Sequence, residues 1–246
     1  MNEILIKCLL GVLSALTGTI VIFFIKLNHH KLCALISFSG GALLSAAIVL
    51  FSSGFSADLN FVYLILALLS GYLVFFMIGK YYFHVCPACS ASHFDENTTK
   101  KFNEIALVMI TALSFHSFMD GLAMAVPSGG DHDHSVFGAV LAHKFPEGLA
   151  LASLLLGSGY KRAKILFIVI AVELTTVVGG FSFYLLDLDQ LSRNALILIE
   201  AHLAGGFVYL ALHAILGEMM RHHKTLVISS FILGIVLILG VNLLFH

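Results

Sequence analysis

The stretches HSFMDGLAMA (residues 116–125) and HKFPEGLALA (residues 143–152) match at six of ten positions, and each places a carboxylate four residues after a histidine. Both sit inside long apolar runs, so the solvent around those runs decides how the pair is read. The chain has 246 residues, 59% of them hydrophobic and 11% charged, with a mean hydropathy of +1.01. A soluble domain averages about 45–50% apolar and about 25% charged residues. The composition therefore implies an integral membrane protein.

A helix rises about 1.5 Å per residue and the hydrocarbon is about 30 Å thick, so a spanning helix needs about 20 largely apolar residues. Eight stretches qualify, near 3–26, 32–52, 60–80, 103–126, 136–157, 165–186, 195–217 and 226–245. They are continuously apolar and not alternating, which excludes a membrane β-barrel. The expected fold is all-α, one polytopic membrane domain of eight helices. Lys7 within the first span and the want of a small-residue cleavage site make that span a retained helix.

Lys and Arg in short loops mark the cytoplasmic side. Ten cations fall in the connections after the first, third, fifth and seventh spans (Lys26, Lys31, Lys80, Lys100, Lys101, Lys161, Arg162, Lys164, Arg221, Lys224), against only Arg193 on the other face. Glu3, Asp58, Asp131, Asp133, Asp187 and Asp189 gather on that other face. Both termini are thus expected to be extracytoplasmic. The net charge of −1 and the lack of a basic patch exclude a nucleic-acid partner. Short loops and small size point to a bacterial inner membrane.

Residues four apart share a helix face, so His116 with Asp120, and His143 with Glu147, each present an imidazole and a carboxylate together. Residues 127–135 are too short for anything but an antiparallel return. Asp120 and His143 then lie at one depth, with His116 and Glu147 about a turn deeper. Charges in mid-membrane cost at least about 2.5–3.5 kcal/mol each, so they face a cavity, a partner or an ion. A divalent cation satisfies two carboxylates and two neutral imidazoles at once. Pro146 interrupts the fifth span beside this cluster and disturbs the bond to the Ala142 carbonyl. Gly121 and Gly148 follow the two carboxylates and permit close helix approach.

These paired motifs, HSFMDG and HKFPEG, resemble those of the ZIP zinc and iron transporter family. The resemblance implies eight spans with both termini outside and a transport site between the fourth and fifth helices. It assigns His116, Asp120, His143 and Glu147 as metal ligands, and matches Glu173 in AVELTTVVGG to an acidic residue that helps hold a second metal in some members. Ser117 and Lys144 depart from the family pattern. An ammonium at Lys144, three residues before Glu147 and within possible reach of Glu173, would replace a second metal and leave a single-metal site.

Imidazole with carboxylate suits Zn2+, Fe2+, Mn2+, Co2+ or Cd2+, and the resemblance places Zn2+ first. Binding needs neutral histidine, so it should weaken as pH falls through the imidazole range. In the cytosolic loop 81–102, His84, Cys86, Cys89 and His93 have a spacing able to hold zinc after it crosses. DHDH at 131–134 is expected as an outer loop, and His29, His30, Glu218, His222 and His223 as candidates for a release route. Glu200, His202 and His213 are read first as interhelical polar contacts, and Cys8 and Cys33 as packing. The lipid bilayer and the metal are the expected partners, with a homodimer as a further candidate.

Not an enzyme is the preferred reading, but two alternatives stand. An intramembrane zinc hydrolase could use Glu173 as base, although no HExxH pair occurs. A non-transporting metal sensor would signal through the 81–102 loop.

Overall fold

A computed structural model of the protein describes residues 2–25, 29–56, 59–82, 96–125, 131–185, 193–220 and 223–245. The described residues are helical and contain no strand. In chain order they form α1 (Asn2–Phe24), α2 (His29–Ser56), α3 (Phe61–Met77), α4 (Glu96–Ala125), α5 (Asp131–Gly157), α6 (Arg162–Leu185), α7 (Arg193–Val208) and α8 (Lys224–Phe245). Two π-helical runs, Ile78–Tyr82 and Tyr209–Leu216, extend α3 and α7, and a short helical turn, Gly217–Met219, follows the second. Among the described residues, stretches long and apolar enough to cross a membrane occur in six helices, α1, α2, α3, α4, α6 and α7, while the apolar stretch of α8, Lys224–Gly240, is shorter.

Two boundaries move from the sequence expectation. The fourth helix begins at Glu96, so the polar run ENTTKKF is its first turns and not loop. DHDH is not loop either, because α5 begins at Asp131. Acidic residues at that end favour helix by interaction with its positive dipole end. The H-x-C-x2-C-x3-H residues lie outside the described residues.

Reciprocal glycine contacts build the bundle. Gly18 of α1 faces the Phe145 carbonyl of α5, and Gly148 of α5 faces the Ala15 carbonyl of α1. The same exchange joins α4 with α6 through Gly121 and Gly179, α2 with α8 through Gly41 and Gly234, and α3 with α7 through Gly71 and Gly205. A Cβ at any of these positions would collide with the neighbouring backbone, so glycine permits the approach that dispersion forces in lipid require. Hydroxyls add bonds across the seams, with Ser14 donating to Leu141 O (2.9 Å), Thr19 to Gly148 O (3.1 Å) and Thr175 to Ser114 O (2.8 Å). All four pairs are parallel, because contacts rise together along both helices, Ser14 with Leu141 and Thr19 with Gly148, Ser114 with Thr175 and Gly121 with Gly180, His30 with His223 and Gly41 with Phe231, Ser70 with His202 and Phe75 with Gly206.

Leu66, Leu73, Ile232 and Val236 point outward from α3 and α8 and are more than half exposed. Such an apolar exterior suits lipid and not water. The α5–α6 turn is set by Gly159, whose φ of 79° is left-handed, with Tyr160 N–H donating to Leu155 O (3.1 Å) and Gly159 N–H to Leu156 O (3.0 Å). This glycine cap stops α5 after the second motif and starts α6, which brings Glu173 back beside it.

Candidate metal centre

The antiparallel return of α4 into α5 brings four ligand atoms together. His116 Nε2 lies 3.3 Å from Asp120 Oδ2, 3.0 Å from Glu147 Oε1 and 3.2 Å from His143 Nε2. His143 Nε2 lies 3.4 Å from Asp120 Oδ2 and 3.9 Å from Glu147 Oε1. All four atoms fall within 4.8 Å of one another. Around a tetrahedral ion with bonds of about 2.0–2.1 Å, ligand atoms sit roughly 3.3 Å apart. The observed spacing therefore matches a coordination shell.

Their directions agree with that reading. Glu147 Oε1 is buried and has no hydrogen-bond partner, despite lying near both imidazoles. No N–H is directed at it. The imidazole centroids are 5.2 Å apart. Two imidazoles on one tetrahedral zinc have centroids roughly 5 Å apart by the same bond lengths. His116, Asp120 and Glu147 are buried, whereas the His143 side chain keeps 13% of its surface open.

Lys144 occupies the adjoining space, fully buried. Its ammonium lies 2.9 Å from Asp120 Oδ2, 3.0 Å from Glu147 Oε2 and 3.1 Å from Glu173 Oε2. It also donates to Ser117 Oγ at 2.6 Å, and that hydroxyl makes a long 3.5 Å bond to Glu173 Oε2. Asp120 and Glu147 thus serve two cationic positions, the ligand cluster through one set of contacts and the ammonium through the other. Glu173 touches Lys144 and not the four-ligand cluster, and its Oε1 has no hydrogen-bond partner. It is close, but it contributes no atom to the tetrahedron.

Pro146 is accommodated within a continuous α5. The Phe145 carbonyl just before it is the one that meets Gly18. Sequence reasoning missed Phe207 of α7, a buried ring packed edge-on against His116 with centroids 4.5 Å apart, which fixes that imidazole from the side. Nothing in the apolar AGGFVYL run marks it among other core aromatics.

Other candidates lie elsewhere. His202 Nδ1 is 2.8 Å from Ser70 Oγ across the α3–α7 seam, and His213 stacks on Tyr209 with centroids 5.3 Å apart. Cys8 and Cys33 are buried and in no disulfide, as packing requires. His30 and His223 meet at the ends of α2 and α8. The side chains of His29 and Glu218, and those of the DHDH run, lie outside what the structure describes, as does His222.

Apolar helices packed around a buried His and carboxylate cluster, whose geometry fits a metal ion, define a helical membrane protein. The family model described as ZIP Zinc transporter matches residues 88–245, which includes every residue of the cluster. The chain belongs to the ZIP family. It is similar to an uncharacterized zinc transporter of Schizosaccharomyces pombe, 28% identical over 141 residues, covering 52% of this chain and 31% of that protein. It is also similar to IAA-alanine resistance protein 1 of Arabidopsis thaliana, 30% identical over 132 residues, covering 52% of this chain and 27% of that protein. The chain thus spans under a third of the length of these relatives. Both are eukaryotic, so the expectation of a bacterial inner membrane gains no support.

Proposed function

We propose that the protein carries a divalent metal ion, Zn2+ first among Fe2+, Mn2+, Co2+ and Cd2+, across the membrane toward the cytoplasm. The observation that supports this most is the convergence of His116 Nε2, His143 Nε2, Asp120 Oδ2 and Glu147 Oε1 within a membrane bundle. Mixed nitrogen and oxygen donors favour borderline divalent ions over Cu+. The zinc-transporter relative and the family description agree with that substrate class.

A single ion is carried at a time. Counted as ionised, Asp120, Glu147 and Glu173 contribute −3 and Lys144 +1, leaving −2 for one divalent cation to neutralise. The ammonium repels a second ion at the same carboxylates. The eight apolar stretches support eight spans, and the cation asymmetry supports outward termini. The helix pairing agrees, because α1 with α5, α3 with α7, α2 with α8 and α4 with α6 are parallel, as helices of equal parity must be in an alternating chain. The hydrolase reading is weaker, since Glu173 is engaged by Lys144 and sits outside the ligand shell.

Zn2+ uptake into proteoliposomes tests the proposal. Wild type should show flux that disappears with His143→Ala. Zn2+ binding without flux above empty liposomes, at neutral and mildly acidic pH, would remove the carrier reading.

A further inference from the structure

The sequence HHKLCALISFSGG at 29–41 is answered by HHKTLVISSFILG at 222–234, so that His30-Lys31 in the first turn of α2 corresponds to His223-Lys224 at the start of α8. In both, a phenylalanine and then a glycine follow at the same spacing, Phe38 with Gly41 and Phe231 with Gly234. Those residues make the reciprocal contact, Gly41 on the Phe231 carbonyl and Gly234 on the Phe38 carbonyl. Equal offsets from a symmetric crossing of parallel helices bring the two starts side by side. His30 and His223 meet there, with ring centroids 4.1 Å apart and planes at 34°.

From this geometry we infer a metal site at the paired ends of α2 and α8, with His30 and His223 as ligands for a borderline divalent cation such as Zn2+. Two imidazoles on a tetrahedral zinc have centroids roughly 5 Å apart. The pair observed at 4.1 Å needs to open by about 1 Å, and both residues are exposed. Two protein nitrogens leave the remaining positions to water or to an acceptor. Lys31 and Lys224, which are exposed and follow the histidines in sequence, oppose retention of a dication. The site therefore binds more weakly than the four-ligand cluster, as a transfer point requires. Binding stands on the geometry alone. Its placement on the receiving side of the membrane rests on the orientation proposed above.

Residue-resolved ethoxycarbonylation of histidine by diethylpyrocarbonate, read by peptide mass spectrometry on the full-length chain in detergent, tests the site with Zn2+ alone as probe. With Zn2+ at about four times the Kd, mass action slows modification of His30 and His223 together about fivefold. The protection persists in His143→Ala, which separates it from the intramembrane cluster, and protection of His30 disappears in His223→Ala. Ethoxycarbonylation of His30 that ignores Zn2+, or protection of His30 that survives His223→Ala, overturns the inference. Loss of uptake in wild type would sink the transport reading and leave this result untouched.

Discussion

Lys144 decides the electrostatics of the site. Removing one partner of a buried ion pair costs about 3–5 kcal/mol, because the charges left behind have neither water nor a counter-ion. Lys144→Ala should therefore lower thermal stability in chelator, and added Zn2+ should restore part of it. Isothermal titration should then count about two ions per chain in place of one, as the vacated space fills with a second cation. An unchanged count with unchanged stability would show the ammonium to be inessential to the charge balance. The i+4 spacing in each motif made the four-residue cluster legible, and i+3 made the Lys144–Glu147 contact legible. The 2.9 Å approach of Lys144 to Asp120 was not legible, because it depends on the rotation of α5 against α4 by a fraction of a turn. Phe207 was hidden for a related reason, since aromatic burial looks the same anywhere in an apolar helix.

At the scale of the helices, glycine seams hold the ligand-bearing elements. A Cβ on Gly148 would stand 2.6 Å from the Ala15 carbonyl carbon, so α5 must move away from α1 to admit it. Gly148→Val should cost about 1–3 kcal/mol by overpacking. Since Gly148 adjoins Glu147, zinc affinity should fall about tenfold or more for a loss of about 1.4 kcal/mol at the site. Gly240 meets nothing within 4 Å, and Gly240→Ala should stay within about 0.5 kcal/mol of wild type. Thermal melts with zinc titrations check both, and equal behaviour of the two variants would contradict the seam. The helices themselves were legible from hydropathy, and the ends were not. Helical ENTTKKF and DHDH extend α4 and α5 beyond the apolar stretch, where hydropathy gives no signal. Nor does the sequence mark the π-helical runs of α3 and α7, which are settled by packing such as Gly79 against Tyr209.

Over the whole molecule, four parallel pairs pack around the buried His and carboxylate cluster, and the Cys and His loop stands apart from it in sequence. In the proposed orientation that loop receives metal and does not move it. A Cys86→Ser/Cys89→Ser variant should keep uptake within about twofold of wild type, a change under about 0.5 kcal/mol in the barrier. Collapse of uptake would place the loop in the transport path. Impermeant maleimide applied to sealed right-side-out vesicles should leave Cys86 and Cys89 unlabelled and label them once the vesicles are opened. Labelling before opening would invert the topology read from the ten-to-one cation asymmetry. That asymmetry was open to sequence reading because it is carried by composition, whereas the pairing of α1 with α5 and α4 with α6 was not, because seams between distant segments leave only scattered glycines.

The most direct measurement is a crystal of the zinc-loaded protein with anomalous scattering recorded at the zinc edge. A single peak should lie about 2.0–2.2 Å from His116 Nε2, His143 Nε2, Asp120 Oδ2 and Glu147 Oε1, with the Lys144 ammonium still between Asp120, Glu147 and Glu173. Two peaks about 4 Å apart at these residues, as in a two-metal site, or a cluster without zinc while other positions fill, would contradict a one-ion carrier site.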